Sequence, residues 1–269
     1  MAVLLAMSAG CTSVVDGLAS RTADDAHTGP VPAVGECHDL RDGYDPLQGL
    51  WPADCSAPHT AEIVAVGDSR LPADQPYPTK DDLMGTGPVD RAVWDACDED
   101  ASDAYIDNTL GVRTWTTDVG VLPDSAAWSA GARWVACAVV YGYGDADPAP
   151  GRMAGAMSGP DAAAYRICLD GDPYEHRQVP CARPHTAEPV GWSPRIATGT
   201  PFPLDDAARQ PLADDCAAAA ALYLGGPPPA EVRVDVAIIG DEEGWAQFPL
   251  AECVLTQQDA SRTTTSLHP

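Results

Sequence analysis

Lysine is almost missing: Lys80 is the only one, and 15 basic residues face 40 acidic ones for a net charge of −25. A surface this poor in cations cannot neutralise a phosphate backbone or hold bare anionic lipid by charge, so nucleic acid is excluded as a partner. No apolar run approaches the roughly 20 residues needed to cross a bilayer. The best candidates, residues 2–9 and 217–224, are far too short. Cysteines at Cys-x-x-Cys spacing are absent, which removes the zinc ribbon and the thioredoxin-type redox site. Ser125, Ser129 and Ser158 lie in no Gly-x-Ser-x-Gly elbow, and there is no phosphate loop, dinucleotide fingerprint or His-Glu-x-x-His helix. With only two Phe, the large core side chains must come from elsewhere, and Trp115, Trp128, Trp134, Trp192 and Trp245 are expected to supply them.

What is present is a loop-rich globular composition. Of 269 residues 45% are hydrophobic and 20% charged, with 24 Gly and 26 Pro. That length suits one large domain or two of roughly 120 residues. Residues 1–150 carry 24 acidic and 7 basic side chains, and the remainder 16 and 8, so most of the acidic excess is N-terminal. It reads as a soluble, self-repelling surface. Asp98, Glu99, Asp100 and Asp103 fall on a predicted helix without the Gly and terminal Glu of a calcium loop, and read as a solvated face.

Cysteine carries most of the information. Cys11 follows an apolar run and the small residues Ser8, Ala9 and Gly10, which resembles a bacterial lipobox, where the thiol is acylated and the cysteine becomes the mature N-terminus. Residues 1–11 are therefore expected to be a lipoprotein signal remnant, and the polar stretch 12–32 a tether on the outer side of the cell membrane. The other eight cysteines form two sets with similar rhythm. Cys37, Cys55, Cys97 and Cys137 step by 18, 42 and 40; Cys168, Cys181, Cys216 and Cys253 step by 13, 35 and 37. Residues 55–62, Cys-Ser-Ala-Pro-His-Thr-Ala-Glu, recur as Cys-Ala-Arg-Pro-His-Thr-Ala-Glu at 181–188, six identities in eight. The chain reads as an internal duplication.

Each copy shows the same elements. Trp94, Cys97, Ala101 and Tyr105 recur at helical spacing, with Gly111 suited to the C-terminal cap; Leu212, Cys216, Ala219 and Tyr223 match them, with Pro211 fit for a first turn and Gly225 for the cap. Residues 112–121, 134–141, 232–239 and 250–255 read as strands. The expected order is strand, strand, helix, strand, strand. The predicted fold class is α+β: two tandem repeats, each a small antiparallel sheet with one main helix, stapled by disulfides. The boundaries are 33–141 and 161–256, joined by a Gly- and Pro-rich linker at 142–160 and followed by a flexible tail at 257–269.

Four cysteines per copy permit three connectivities, and spacing does not decide among them. The preferred pairing joins Cys37 to Cys55, Cys97 to Cys137, Cys168 to Cys181 and Cys216 to Cys253. Neighbouring strands around a turn bring the first two of each set together, and the other bond clamps helix to sheet. Bridges of this kind imply an oxidising compartment.

Gly35-Glu-Cys37, the duplicated Cys-x-x-Pro-His-x-x-Glu signature and the later helix and strand cysteines resemble the septum formation domain of actinobacterial envelope lipoproteins, in two copies over about Val34 to Leu255. The second copy departs at Arg166-Ile-Cys168, which lacks the Gly, so a different first turn is expected there. The resemblance implies a secreted or membrane-anchored envelope protein tied to division or wall assembly, with an envelope protein or cell-wall partner and no established catalytic residues.

His59, Glu62, His185 and Glu188 are the candidate chemical groups. Two His and two carboxylates could hold zinc, or one His could act as general base oriented by a Glu, which would make the chain an envelope hydrolase. On a strand, residues three apart face opposite sides, so His59 and Glu62 are expected to diverge unless a bulge intervenes. The expectation is therefore a noncatalytic binding or scaffold module with no cofactor and no metal, in which the duplicated histidines bond to backbone or to a neighbouring carboxylate.

Overall fold

The computed structural model describes residues 31–40, 50–83, 85–97, 100–142, 148–193 and 196–268. Cys11, most of the expected tether, Asp98 and Glu99 lie outside these residues. Strands β1 (Cys37–Asp39), β2 (Trp51–Ala53), β3 (Ala61–Asp68), β4 (Thr116–Val121) and β5 (Trp134–Tyr141) form one antiparallel sheet in the order β2-β1-β3-β5-β4. Strands β6 (Ile167–Gly171), β7 (His176–Pro180), β8 (Ala187–Trp192), β9 (Val232–Ile238) and β10 (Ala251–Gln257) form a second, in the order β7-β6-β8-β10-β9. The fold is α+β, and both sheets have the same strand order.

Helices α1 (Lys80–Leu83), α2 (Pro88–Ala96), α3 (Ala101–Ile106), α4 (Ser125–Ser129), α5 (Ala162–Tyr165), α6 (Asp206–Asp215), α7 (Ala217–Leu224) and α8 (Glu242–Gln247) connect the strands. The one helix expected per half is two. Cys97 is extended at the end of α2, and Cys216 sits at the joint of α6 and α7. Helix α3 ends on Asp107 in the left-handed region, not on Gly111, whereas Gly225 does cap α7. Pro211 lies inside α6, because Asp205 starts the helix earlier by accepting a bond from the Ala208 amide at 2.8 Å. A further strand opens each half, and α4 and α8 precede the last strand. Five or six residues are too few for helical periodicity to stand out in sequence. Their indoles, Trp128 and Trp245, are buried, while Trp192, expected in the core, is 52% exposed.

Strand alternation divides the packing by face. Along β5, Val135, Cys137, Val139 and Tyr141 join the main core, and Ala136, Ala138 and Val140 pack on the opposite side with Ala61, Ile63, Val119 and Val121. Helix α2 lies so close to the sheet that a Cβ on Gly120 would stand 2.2 Å from Val93 Cγ1. The main core is continuous across the two halves, taking in Val64 and Tyr141 from one and Val190 and Tyr223 from the other. Backbone bonds join them too: the Trp115 amide donates to the Tyr165 carbonyl at 2.6 Å, and the Ile167 amide to the Arg113 carbonyl at 3.1 Å. Arg113 also reaches across to Glu252 on β10 at 3.0 Å.

Two segments expected to be loose are docked. Residues 148–160 connect the halves, but Ala149, Met153, Ala156 and Met157 are buried. The tail beyond β10 is bonded back as well: Thr263 and His185 exchange backbone hydrogen bonds, both 2.9 Å long. Neither segment shows a helical or strand period in sequence, because the first is held by a few irregularly spaced apolar side chains and the second by backbone bonds. Among the described residues, no helix is long and apolar enough to cross a membrane.

Candidate functional site

The two Pro-His-Thr-Ala-Glu motifs open the central strands β3 and β8, and each Glu stands beside a disulfide. Cys37 is the register partner of Glu62. The bonds join Cys37 to Cys55, Cys97 to Cys137, Cys168 to Cys181 and Cys216 to Cys253, each within one half.

His59 and Glu62 meet, contrary to the expectation that they diverge. His59 Nε2 lies 2.8 Å from Glu62 Oε1, and both side chains are fully buried. No bulge separates them; the bulge of β3 comes later, between Ile63 and Ala65. His59 precedes the strand, where Pro58 has turned the chain, so the alternation rule does not apply to it. The His59 Nδ1–H donates to the Ala57 carbonyl at 2.9 Å. For the Nε2 contact to be a hydrogen bond, a second proton must lie between Nε2 and Oε1.

In the second half His185 Nδ1–H donates to the Arg183 carbonyl at 2.8 Å in the same way. Its Nε2, however, has no hydrogen-bond partner among the described residues. The two motifs share their backbone placement but not the contact between imidazole and carboxylate.

Each carboxylate is closed by the same three kinds of donor. Glu62 accepts from the Tyr105 hydroxyl at 2.5 Å and the Met153 amide at 2.6 Å, with Arg152 Nε at 3.5 Å. Glu188 accepts from the Tyr223 hydroxyl, from Ser266 Oγ at 2.6 Å and from the Leu267 amide at 2.6 Å, with Arg166 Nη1 at 3.7 Å. The tyrosines come from the helices, and burial followed by the facing carboxylate pushes the Tyr105 phenol well above its ordinary range, which keeps it a donor. In Tyr223 burial and Glu188 act in the same direction. The backbone donors come from the segment after the last strand of each half, which acts as a strap.

The guanidiniums arrive by different routes to similar ends. Gly35 is left-handed, at φ +87°, and a Cβ there would stand 3.7 Å from Arg152 Nη2. At the matching place, two residues before the cysteine, the second half has Arg166 itself in extended backbone. The different first turn expected there thus takes the form of an ordinary backbone and a side chain that replaces Arg152.

This donor set does not suit a metal. Cys37, His59 and Glu62 cluster within 4.8 Å, as do Cys168, His185 and Glu188, but all four sulfurs of the two adjoining bridges are consumed as disulfides and offer no thiolate. Both carboxylates already accept several hydrogen bonds. A general base needs access to a substrate proton, and Glu62, Glu188, His59 and His185 are at most 1% exposed. What the arrangement can do is lock a strap, a helix and a strand together.

Sequence reasoning missed Arg152, Met153, Arg166, Ser266 and Leu267. One signal was available: a buried Glu requires donors, and the two copies of the motif implied two sets. A second lock lies on the tail strap. Arg177 bonds Asp170 at 2.8 Å and Arg262 lies 2.5 Å from it, and these partners, Arg177 foremost, hold its carboxyl below the usual range. Its contribution to stability is therefore complete above the unfolded carboxylate value of about 3.9 and is lost as pH falls through the lower folded value. Urea midpoints measured from pH 7 to pH 3 should fall less steeply in Asp170→Asn than in the parent chain, starting from a lower midpoint at pH 7.

A family model described as septum formation matches residues 34–247. The span is a single one, taking in the first sheet whole and the second up to α8. No curated protein matches the chain, and no solved structure matches it.

Proposed function

The chain belongs to the septum formation family, and from that membership we propose that it is a noncatalytic binding or scaffold module of the cell envelope, serving septum or cell-wall assembly from an N-terminal lipid anchor on Cys11. The observation that carries the noncatalytic reading is the closure of Glu62 and Glu188 by the protein's own donors. A hydrolase would need at least one of these groups open to substrate. Four disulfides support an address outside the cytoplasm, because thiols stay reduced inside it. The common strand order, the repeated motif and the two straps support a tandem duplication. In that reading each unit ends with its strap, at about Met153 and Leu267, so the repeat runs past the last strand.

Calorimetric titration of zinc into the purified, oxidised chain tests the reading. No saturable binding is expected, and His59→Ala and His185→Ala should behave like the parent. Saturable binding that these substitutions abolish would establish the metal-dependent alternative. In cells, Cys11→Ala should release the protein from the membrane fraction; retention would remove the lipid anchor from the proposal.

A further inference from the structure

The first half has a surface pocket of about 420 Å³ between α2, α3 and the sheet, floored by the Cys97–Cys137 bridge. Trp94, Asp95, Ser102 and Asp118 line it. Trp94 is 47% exposed, and its Nε1–H donates to Asp90 Oδ1 at 3.2 Å. Neither Asp95 nor Asp118 has a basic partner within ion-pair distance among the described residues. Partial desolvation pushes the Asp118 carboxyl up, with Asp103 adding to the rise and a Ser102 hydrogen bond opposing it. Asp95 and Asp118 are both exposed, so their carboxylates are open to a ligand from solvent.

The second half shows that the fold does not require these groups. Cys137 pairs in register with Gly120 and Cys253 with Val236, so Val234 occupies the place of Asp118. In the matched helical positions Leu212 stands where Trp94 does, and three residues before the helix tyrosine Ala220 stands where Ser102 does. The matching disulfide, Cys216–Cys253, is fully buried. In the first half, then, the hollow is open, acidic and aromatic, where the matching positions of the second half, Val234 and Ala220, are apolar.

We propose that this pocket binds an alkylammonium group, the charge held between Asp95 and Asp118 and the apolar stem lying on Trp94 and the disulfide. The volume falls within the range of small-ligand sites, and an aromatic face beside carboxylates is the chemistry that recognises an organic cation. The source is a free amine or a lysine-like side chain of a partner. The inference rests on the binding-module reading, but a silent pocket would overturn the inference alone, since the zinc titration concerns the His/Glu motifs.

The test is calorimetric titration of n-pentylammonium into the oxidised full chain at pH 7, with 1-pentanol and pentanoate as neutral and anionic matches. Nα-acetyl-lysine methylamide presents the same ammonium on a peptide, and preference between the two amines identifies the source. Either amine should bind saturably, and at least tenfold more weakly in Asp118→Asn and in Trp94→Ala. Asp214→Asn, on the matching helix of the second half and outside the pocket, should leave binding unchanged. Thermal unfolding of each variant verifies folding, and Asp118→Asn decides if Trp94→Ala does not fold. Absence of saturable amine binding, equal binding of pentanol, or equal weakening by Asp214→Asn and Asp118→Asn overturns the proposal.

Discussion

Glu62→Ala and Glu188→Ala should each destabilise the protein by about 3–5 kcal/mol, the range for removing one member of a buried charged network and stranding its partners. Alanine at 62 leaves the Tyr105 hydroxyl, the Met153 amide and His59 Nε2 without their common acceptor. Alanine at 188 strands the Tyr223 and Ser266 hydroxyls and the Leu267 amide. Water cannot replace the lost carboxylate unless the strap opens, so strap and helix should come free together. Glutamine separates loss of charge from loss of acceptor. In Glu188→Gln the amide oxygen can take the Leu267 amide while its NH₂ donates to the two hydroxyls, which rotate to accept. That variant should cost only about 1–2 kcal/mol, the net worth of a charge-assisted bond over a neutral one. Urea unfolding measures the series, and Tyr105→Phe and Tyr223→Phe give the order if an alanine variant is too unstable to purify. Alanine variants within about 1 kcal/mol of the parent would show that the sealed carboxylates hold nothing together.

The same network shows where sequence was legible and where it was not. Strong alternation in 232–239 located β9 because Val232, Val236 and Ile238 share one face in the main core and a period of two follows from the pleat, although Asp235 and Ala237 on the other face are buried too. Gly225 was legible as a helix cap because a left-handed position selects glycine. Asp107 does the same service for α3 without a glycine to announce it. The helices broke at Cys97 and Cys216, positions chosen to reach the sheet rather than to continue a helical face. At the site, the duplicated motif named the right histidines and glutamates, but their geometry was misjudged. Strand alternation does not hold at His59, which lies two residues before β3 begins at Ala61. The straps left no periodic trace at all: their function is to offer an amide and a guanidinium or hydroxyl to a buried acid, which composition records only as polar loop.

Removing the Cys216–Cys253 bridge by a double alanine substitution should cost about 4 kcal/mol on the chain-entropy account, against about 3 kcal/mol for Cys168–Cys181. The difference comes from loop length, since the first bond closes a separation of 37 residues and the second one of 13. Two features of the fold reinforce that order. Cys216 lies at the joint of α6 and α7, so one bond fixes two helices, and Cys253 is fully buried in the middle of β10, opposite Val236. The shorter bond fastens the β6–β7 hairpin, which ladder hydrogen bonds already hold in register. Loss of the longer bond should therefore lower far-ultraviolet helical signal before global unfolding, because α7 carries Tyr223 and is tied to the strand otherwise through Glu188. Loss of the shorter one should leave that signal intact. Combining the Cys216 and Cys253 substitutions with Tyr223→Phe, which deletes the hydroxyl that bonds Glu188, should cost more than the sum of the two, since each then removes the remaining tie of the same helix. Additive costs, or a larger penalty for the hairpin bond, would mean that packing of α7 rather than these two ties keeps the second half closed.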